Sequence, residues 1–192
     1  MEQSVLAATV TAAAGGDKDA WEQLVARFGG LLWAIARSHR LSQADAADVV
    51  QSTWLKLLEH FDALRSPDAV GAWLATTARR ECLAVLRSRD RERPSDLETD
   101  GEGAAQAPED SPEFSALRSE RAALLRTSLD QVSPRCQRLL RVLSASPPPS
   151  YAEVATALSM PIGSIGPTRA RCLDCLRRHS ERLGVTSAAL AG

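Results

Sequence analysis

Apolar residues recur along this chain at intervals of three and four, and most such runs open on serine or aspartate with an acid or a proline close behind. That pattern constrains the fold more than any other feature, because it specifies amphipathic helices together with their starting points. Trp21, Leu24, Val25, Phe28, Leu31, Leu32 and Ile35 describe one face of a helix after Asp17, with a break expected at Gly29-Gly30. Ser42 with Asp45 three residues on is an acidic capping box that opens a helix to about Phe61. Ser66-Pro67-Asp68 gives an N-cap, a first-turn proline and an acid for a third helix. That helix carries Trp73, Leu74, Leu83 and Leu86 and ends in the basic run Arg87 to Arg93. Ser111-Pro112-Glu113 and Ser133-Pro134 repeat the signal, for helices near 112–129 and 134–143. The first dozen residues, with Val5, Leu6 and Val10, suit a short docking helix or a frayed end. Alternating β-branched runs are missing, so the expected class is all-α.

Between the helical blocks the composition changes. Pro94 to Pro112 holds Asp96, Glu98, Asp100, Glu102, Glu109 and Asp110 among Gly, Ala and Pro, with no Lys or Arg. Such a segment buries too little apolar surface to order itself, and it reads as a flexible acidic linker. The 192 residues therefore divide into a helical domain at 1–93, a linker at 94–112, a second helical domain at 113–185 and a tail at 186–192. The formal net charge of -1 favours no class of partner, so the charge distribution has to carry the argument. No run approaches the roughly 20 apolar residues of a membrane span, and the N-terminus has no basic segment ahead of an apolar core. Membrane insertion is not expected and the cytoplasm is, where the four cysteines would be kept as thiols.

The second block contains the most specific local pattern. Ser150-Tyr-Ala-Glu153 is a capping box, and Val154, Ala155 and Leu158 line the buried side of a short helix that Ser159-Met160-Pro161 stops. After the turn, Ile165, Cys172 and Leu176 face inward and Arg169 and Arg171 outward, which is the pattern of a helix-turn-helix. Ser164 is the expected N-cap of the second helix, with Gly166 and Pro167 in its first turn, where a proline costs little. A glycine before the proline relieves the clash with its Cβ, and a bare turn lets the backbone approach a phosphate. Ser164, Gly166, Pro167, Thr168, Arg169 and Arg171 are the candidate contacts to duplex DNA.

In the first block, Asp45-Ala-Ala-Asp-Val-Val-Gln51 is followed by Ala72-Trp-Leu-Ala-Thr-Thr-Ala-Arg-Arg80 and a basic helix end. Together with the Ser150 to Arg171 pattern, this order of motifs resembles the extracytoplasmic-function (group 4) sigma factors of bacterial RNA polymerase. The resemblance covers roughly 17–93 and 113–180. It implies a region 2-like helical bundle and a region 4-like helix-turn-helix domain. It also implies core polymerase, through its β′ and β subunits, as partner, and promoter −10 and −35 elements as DNA. Asp45, Asp48 and Gln51, on one side of their helix, would bind the polymerase, while Val49, Trp54, Leu55 and Leu58 pack inward. Phe61, Arg65, Arg79, Arg80 and Arg87 would serve the −10 element, where unpaired bases need stacking surfaces and cations. Trp54 and Trp73, spaced with other apolar positions, are read as core. An anti-sigma factor is a further partner that the resemblance admits. The family often has Asn where Arg80 stands, Asp where Ala84 stands, and Lys-Ser where Gly166-Pro167 stands. A promoter sequence therefore does not carry over.

Cys172, Cys175 and His179 share a helix face and Cys136 is the fourth candidate ligand, yet Cys172 holds a core position and zinc wants about four ligands in a tetrahedron. No metal and no cofactor are expected. His39 and His60 have no nucleophile or carboxylate set around them, so no catalytic residue is expected and the chain is not read as an enzyme. Two other classes compete with the sigma-factor reading: a helix-turn-helix regulator that binds duplex DNA without polymerase, and a redox or metal sensor built on the cysteines. The apolar end, Ala188 to Gly192, is a weak candidate for recognition by a protease.

Overall fold

Asp17 starts the first long helix by accepting the amide of Ala20 on its carboxylate (2.9 Å). The computed structural model describes residues 2–61, 64, 66–92 and 123–183. Ahead of Asp17 lies α1 (Glu2–Ala14), which buries Val10 and Ala13 and leaves Val5 exposed. Of the two readings offered for these residues, a docked helix is the one found: α1 packs on α2 (Lys18–Ser38) and on a 3-10 turn at Pro67–Ala69. Helix α2 runs unbroken through Gly29-Gly30, against expectation. Its buried line is Leu24, Phe28, Leu31, Leu32 and Ile35, and burial at about 1.5–3 kcal/mol per large side chain outweighs the roughly 1 kcal/mol helix penalty of a glycine.

Helix α3 (Gln43–Glu59) opens as read, with the Ser42 hydroxyl accepting from the Asp45 amide (3.2 Å). It buries Ala46, Val49, Val50, Thr53 and Leu57. Ser66, by contrast, makes no side-chain cap; its proline instead begins the 3-10 turn that leads into α4 (Val70–Glu92). The buried face of α4 is Val70, Leu74, Ala75, Ala78 and Cys82, rotated from the expected Leu83 and Leu86, which are half-buried. Small residues along that face permit another helix to come close.

The helix that occupies this space belongs to the second block. Residues 123–130 are helical (α5), followed by α6 (Pro134–Leu143), capped by Ser133 on the Cys136 amide (3.3 Å), then α7 (Tyr151–Leu158) and α8 (Ile162–Arg182). Helix α6 packs on α2 and α7 packs on α4. One continuous buried cluster therefore runs from Leu24, Phe28 and Leu74 to Leu139, Val142, Val154 and Ile165. Among the described residues the two blocks share a core. The linker 94–112, the start of the helix expected near 112 and the tail 186–192 lie outside the described residues.

Polar groups at the junction are matched as well. Arg40 donates to the Gln137 side-chain oxygen (2.7 Å), and the Gln137 amide donates to the carbonyls of Asp130 (3.2 Å) and Val132 (3.0 Å). Arg141 donates to the Arg37 carbonyl (3.3 Å). Two glycines set the closeness of approach: a Cβ on Gly30 would overlap the Ser146 carbonyl, and one on Gly71 would overlap the Glu153 carboxylate and press on Phe28. Gly29 faces open space.

This asymmetry is testable by urea unfolding. Gly29→Ala should stabilise the chain by about 0.5–1 kcal/mol, the helix preference of alanine. Gly30→Ala should destabilise it by about 1–3 kcal/mol, because backbone has to move. Equal effects would mean that the blocks do not dock through Gly30.

Candidate functional site

The helix-turn-helix is built from reciprocal local bonds. The Ser150 hydroxyl accepts from the Glu153 amide (3.3 Å), and the Glu153 carboxylate accepts from the Ser150 amide (2.6 Å) and hydroxyl (2.8 Å), completing the expected capping box. Ser159 then takes a left-handed conformation (φ 52°, ψ 48°), which turns the chain out of α7.

Helix α8 starts earlier than the sequence suggested. Pro161 is the N-cap, and Ser164 is the third helical residue, its hydroxyl donating back to the Pro161 carbonyl (2.7 Å). The expected Ser164 cap is thus corrected, because the Pro161 carbonyl already accepts the Ser164 amide (2.9 Å) and closes the first turn. Pro167 consequently lies inside the helix, about a turn and a half from its start. Its missing N–H deprives the Gly163 carbonyl of an intrahelical partner, a loss eased by the exposure of Gly163 to water. Space around Gly166 is open, so its value lies in having no Cβ next to the proline rather than in packing.

The inward line of α8 is Ile165, Thr168 and Cys172. Thr168, expected to meet DNA, is only 7% exposed. It makes a long contact instead, accepting from Arg171 at 3.5 Å. Arg169 and Arg171 are exposed, but two residues apart on a helix they point about 200° from each other. Between them the outer face presents Gly163, Pro167 and Ala170, small and without side-chain donors. Ser164 and Gly166 are half-buried at its edge. A groove could receive this face with one arginine toward each wall.

On α3, Asp45 is less free than its neighbours. Its carboxylate pairs with Arg89 of α4 and accepts from the Ser42 hydroxyl, tying α3 to α4, as does the pair Lys56–Glu81. Asp48 and Gln51 are exposed. Leu55 (51% exposed) and Leu58 (52%) extend the same line rather than packing inward as expected. The spacing 48, 51, 55, 58 is that of one helix face suited to meeting another helix; the sequence reading put Asp48 and Gln51 on that outward face but assigned Leu55 and Leu58 to the core.

The residues assigned to −10 DNA differ in their exposure. Phe61 is half-buried with its ring edge-on to Trp21 (6.1 Å), and Trp54 meets Trp21 similarly (5.4 Å). Trp54 and Trp73 are partly buried against the core. Arg80 and Arg87 are exposed, and Arg65 lies outside the described residues. Arg79 is half-buried, its Nε enclosed without a hydrogen-bond partner. It stands close enough to His39 to act on that imidazole together with Arg138 of α6. Burial first, then Arg138 and Arg79, hold the His39 pKa below its ordinary value.

The cysteine expectation is overturned for one pair: Cys136 and Cys172 are disulfide-bonded, while Cys82 and Cys175 are free. Helical periodicity put Cys172 inside but gave no distance to Cys136 across the fold. Among the described residues no three His, Cys, Asp or Glu gather as a metal site needs.

Comparison with known proteins agrees with this arrangement. The Sigma-70 region 2 family matches residues 24–92, which span α2 to α4. The chain is 29% identical over 178 residues to the RNA polymerase sigma factor CnrH of Cupriavidus metallidurans, covering 88% of this chain and 93% of that one. Its fold is similar to that of CnrH solved in complex with the cytosolic domain of CnrY (TM-score 0.55, 24% identity, 89% and 94% of the two chains). It is also similar to the sigma factor RpoE in complex with the anti-sigma factor NepR from Bartonella quintana (TM-score 0.58, 22% identity, 84% and 96%).

Two outcomes are expected from this geometry. Because the folded His39 resists protonation, its contribution to stability is complete above about pH 6.5 and is lost as the pH falls below that value. Urea midpoints at pH 7.5 and pH 5 should therefore differ more for the parent chain than for His39→Gln; equal differences would remove His39 from the account. Pro167→Ala should raise stability, by up to about 3 kcal/mol, if α8 regains the bond to Gly163. No change in thermal midpoint would mean that bond is not restored.

Proposed function

The chain is a sigma factor of the extracytoplasmic-function group of the sigma-70 family, and from that premise we propose how its two helical blocks divide the work of directing core RNA polymerase to promoters. The observation that carries the division is the presence, in one chain, of the region 2 match over 24–92 and an outward-facing helix-turn-helix at 150–182. The first block, 1–93, binds core polymerase and the −10 element. The second, 113–185, reads the −35 duplex, with the acidic segment 94–112 threading between them. The chain does this without catalysis of its own. It acts in the cytoplasm, where polymerase is found; among the described residues no helix is long and apolar enough to cross a membrane.

For the polymerase we assign Asp48 and Gln51, with Leu55 and Leu58 continuing their line. An exposed stripe that is polar at Asp48 and Gln51 and apolar at Leu55 and Leu58 suits a partner helix, which covers the leucines and pairs the acid. Asp45 contributes by holding α3 on α4 through Arg89. For the −35 duplex we assign the outer face of α8. Arg169 and Arg171 contact phosphates on either side, Ser164 and Gly166 lie along its edge, and Pro167 and Ala170 bring apolar contact to base edges such as thymine methyls. Thr168 acts through Arg171. For the −10 region we assign Arg80 and Arg87 as backbone contacts, together with Phe61, Arg65 and Arg79. Since both solved relatives are complexes and one partner is an anti-sigma factor, we propose an anti-sigma partner for this chain also.

Run-off transcription with purified core polymerase and a promoter library tests the reading. Addition of the chain should produce promoter-specific initiation. Arg171→Ala should lower −35-dependent initiation about tenfold, or about 1.4 kcal/mol, with core binding unchanged. Asp48→Ala and Leu55→Asp should weaken core binding and leave duplex binding unaltered. Duplex binding with no gain in initiation from any promoter would instead identify a regulator that works without polymerase.

A further inference from the structure

The Cys136–Cys172 bond belongs to no part of the polymerase or DNA surface just described. It joins residues 36 positions apart with Cα atoms 5.3 Å from each other, and it fastens the first turn of α6 to the inward face of α8. The loop it closes contains α7 and the turn, so the whole reading unit is stapled. Cys172 is 1% exposed, whereas Cys136 is half-exposed. We infer that the Cys136–Cys172 pair is a reversible redox modification site that sets how firmly α8 is held on α6, taking hydrogen peroxide as oxidant and a small thiol as reductant.

The chemistry follows from the two environments. Cys136 is the third residue of α6 and is half-exposed, so its sulfur is the one an oxidant reaches, and its thiolate is the reacting form. That thiolate attacks a peroxide oxygen, breaking the O–O bond and leaving a sulfenic acid as hydroxide departs and takes up a proton. The Cys172 sulfur then attacks the Cys136 sulfur, the S–S bond forms, and a second water leaves. In sum, two thiols and one peroxide give one disulfide and two waters. In the reverse direction a small thiolate attacks the accessible Cys136 sulfur and Cys172 departs as the leaving thiolate. A second small thiol resolves the mixed disulfide, so that two small thiols end oxidised and both cysteines reduced.

The other two cysteines are poorly placed to compete for each other. Cys82 is fully buried, and burial pushes its thiol up to about 12; Cys175 is half-buried on α8. Opening the bond has a structural effect because reduced sulfurs stand at van der Waals separation, farther apart than bonded ones, and Cys172 is enclosed. Helices α6 and α8 must then shift against each other. Helix α6 is also the one that carries Gln137 and Arg141 against α2, so the shift reaches the junction between blocks. If α8 reads duplex DNA as proposed above, the bond governs its preorganisation, but the site itself does not depend on that reading.

Hydrogen exchange of the full chain, read by mass spectrometry after peroxide or after dithiothreitol, tests it. Peroxide should lower the mass by two hydrogens, peptide mapping should place the bond at 136–172, and α8 amides should exchange about tenfold more slowly than in the reduced chain. Cys136→Ser should exchange like the reduced chain under both treatments, and the Cys82→Ser, Cys175→Ser double variant should keep the response. The inference is overturned by no bond after peroxide, by a bond at another pair, or by equal exchange of α8 in both states. Each readout is independent of polymerase, so failure of the sigma assignment would be seen separately.

Discussion

The rest of the structure depends on how closely α6 and α7 approach α2 and α4. That approach requires glycine at 30 and 71, because any side chain there would meet the Ser146 carbonyl or the Glu153 carboxylate. Once the helices are close, Leu139, Val142 and Val154 complete a core begun by Leu24, Phe28 and Leu74. Glu153 illustrates the coupling: its carboxylate caps α7 and is buried where α7 meets α4. A carboxylate is tolerated there because Ser150 supplies two donors to it.

The orientation of α8 follows from the same packing. Ile165, Thr168 and Cys172 point inward, and this fixes the outward directions of Pro167, Ala170 and the two arginines. Proline at 167 is accommodated because the carbonyl it leaves free, on Gly163, faces solvent. The disulfide adds a covalent tie from this inward face to α6, whose own polar contacts reach Arg37 of α2 and Arg40 just beyond its end. The outer face of α8, the disulfide and the block junction are thus mechanically continuous.

Much of the local structure was legible because caps depend on neighbours within four residues. The Ser42, Ser133 and Ser150 caps, the stop at Ser159 and the extents of α6 and α7 were read from a few side chains each. The errors fall where several local solutions compete. Ser164 and Pro161 could each begin α8, and hydrogen bonding to the Pro161 carbonyl decided between them. Gly29-Gly30 could have ended α2, and burial on both sides carried the helix through. Leu55 and Leu58 looked like core by periodicity, yet α2 and α4 pack on α3 so that Val49, Thr53 and Leu57 are buried and the adjacent stripe stays open.

The sequence by itself determined the all-helical class, the order of two helical blocks and the motifs of the sigma family, since helix periodicity and capping are short-range physics. Only the tertiary structure decided which faces are buried, that Thr168 points inward, that Asp45 is engaged by Arg89, and that Cys136 meets Cys172. Each of those is a contact across tens of residues, set by which surfaces exclude water together, and no pattern confined to one helix encodes its partner.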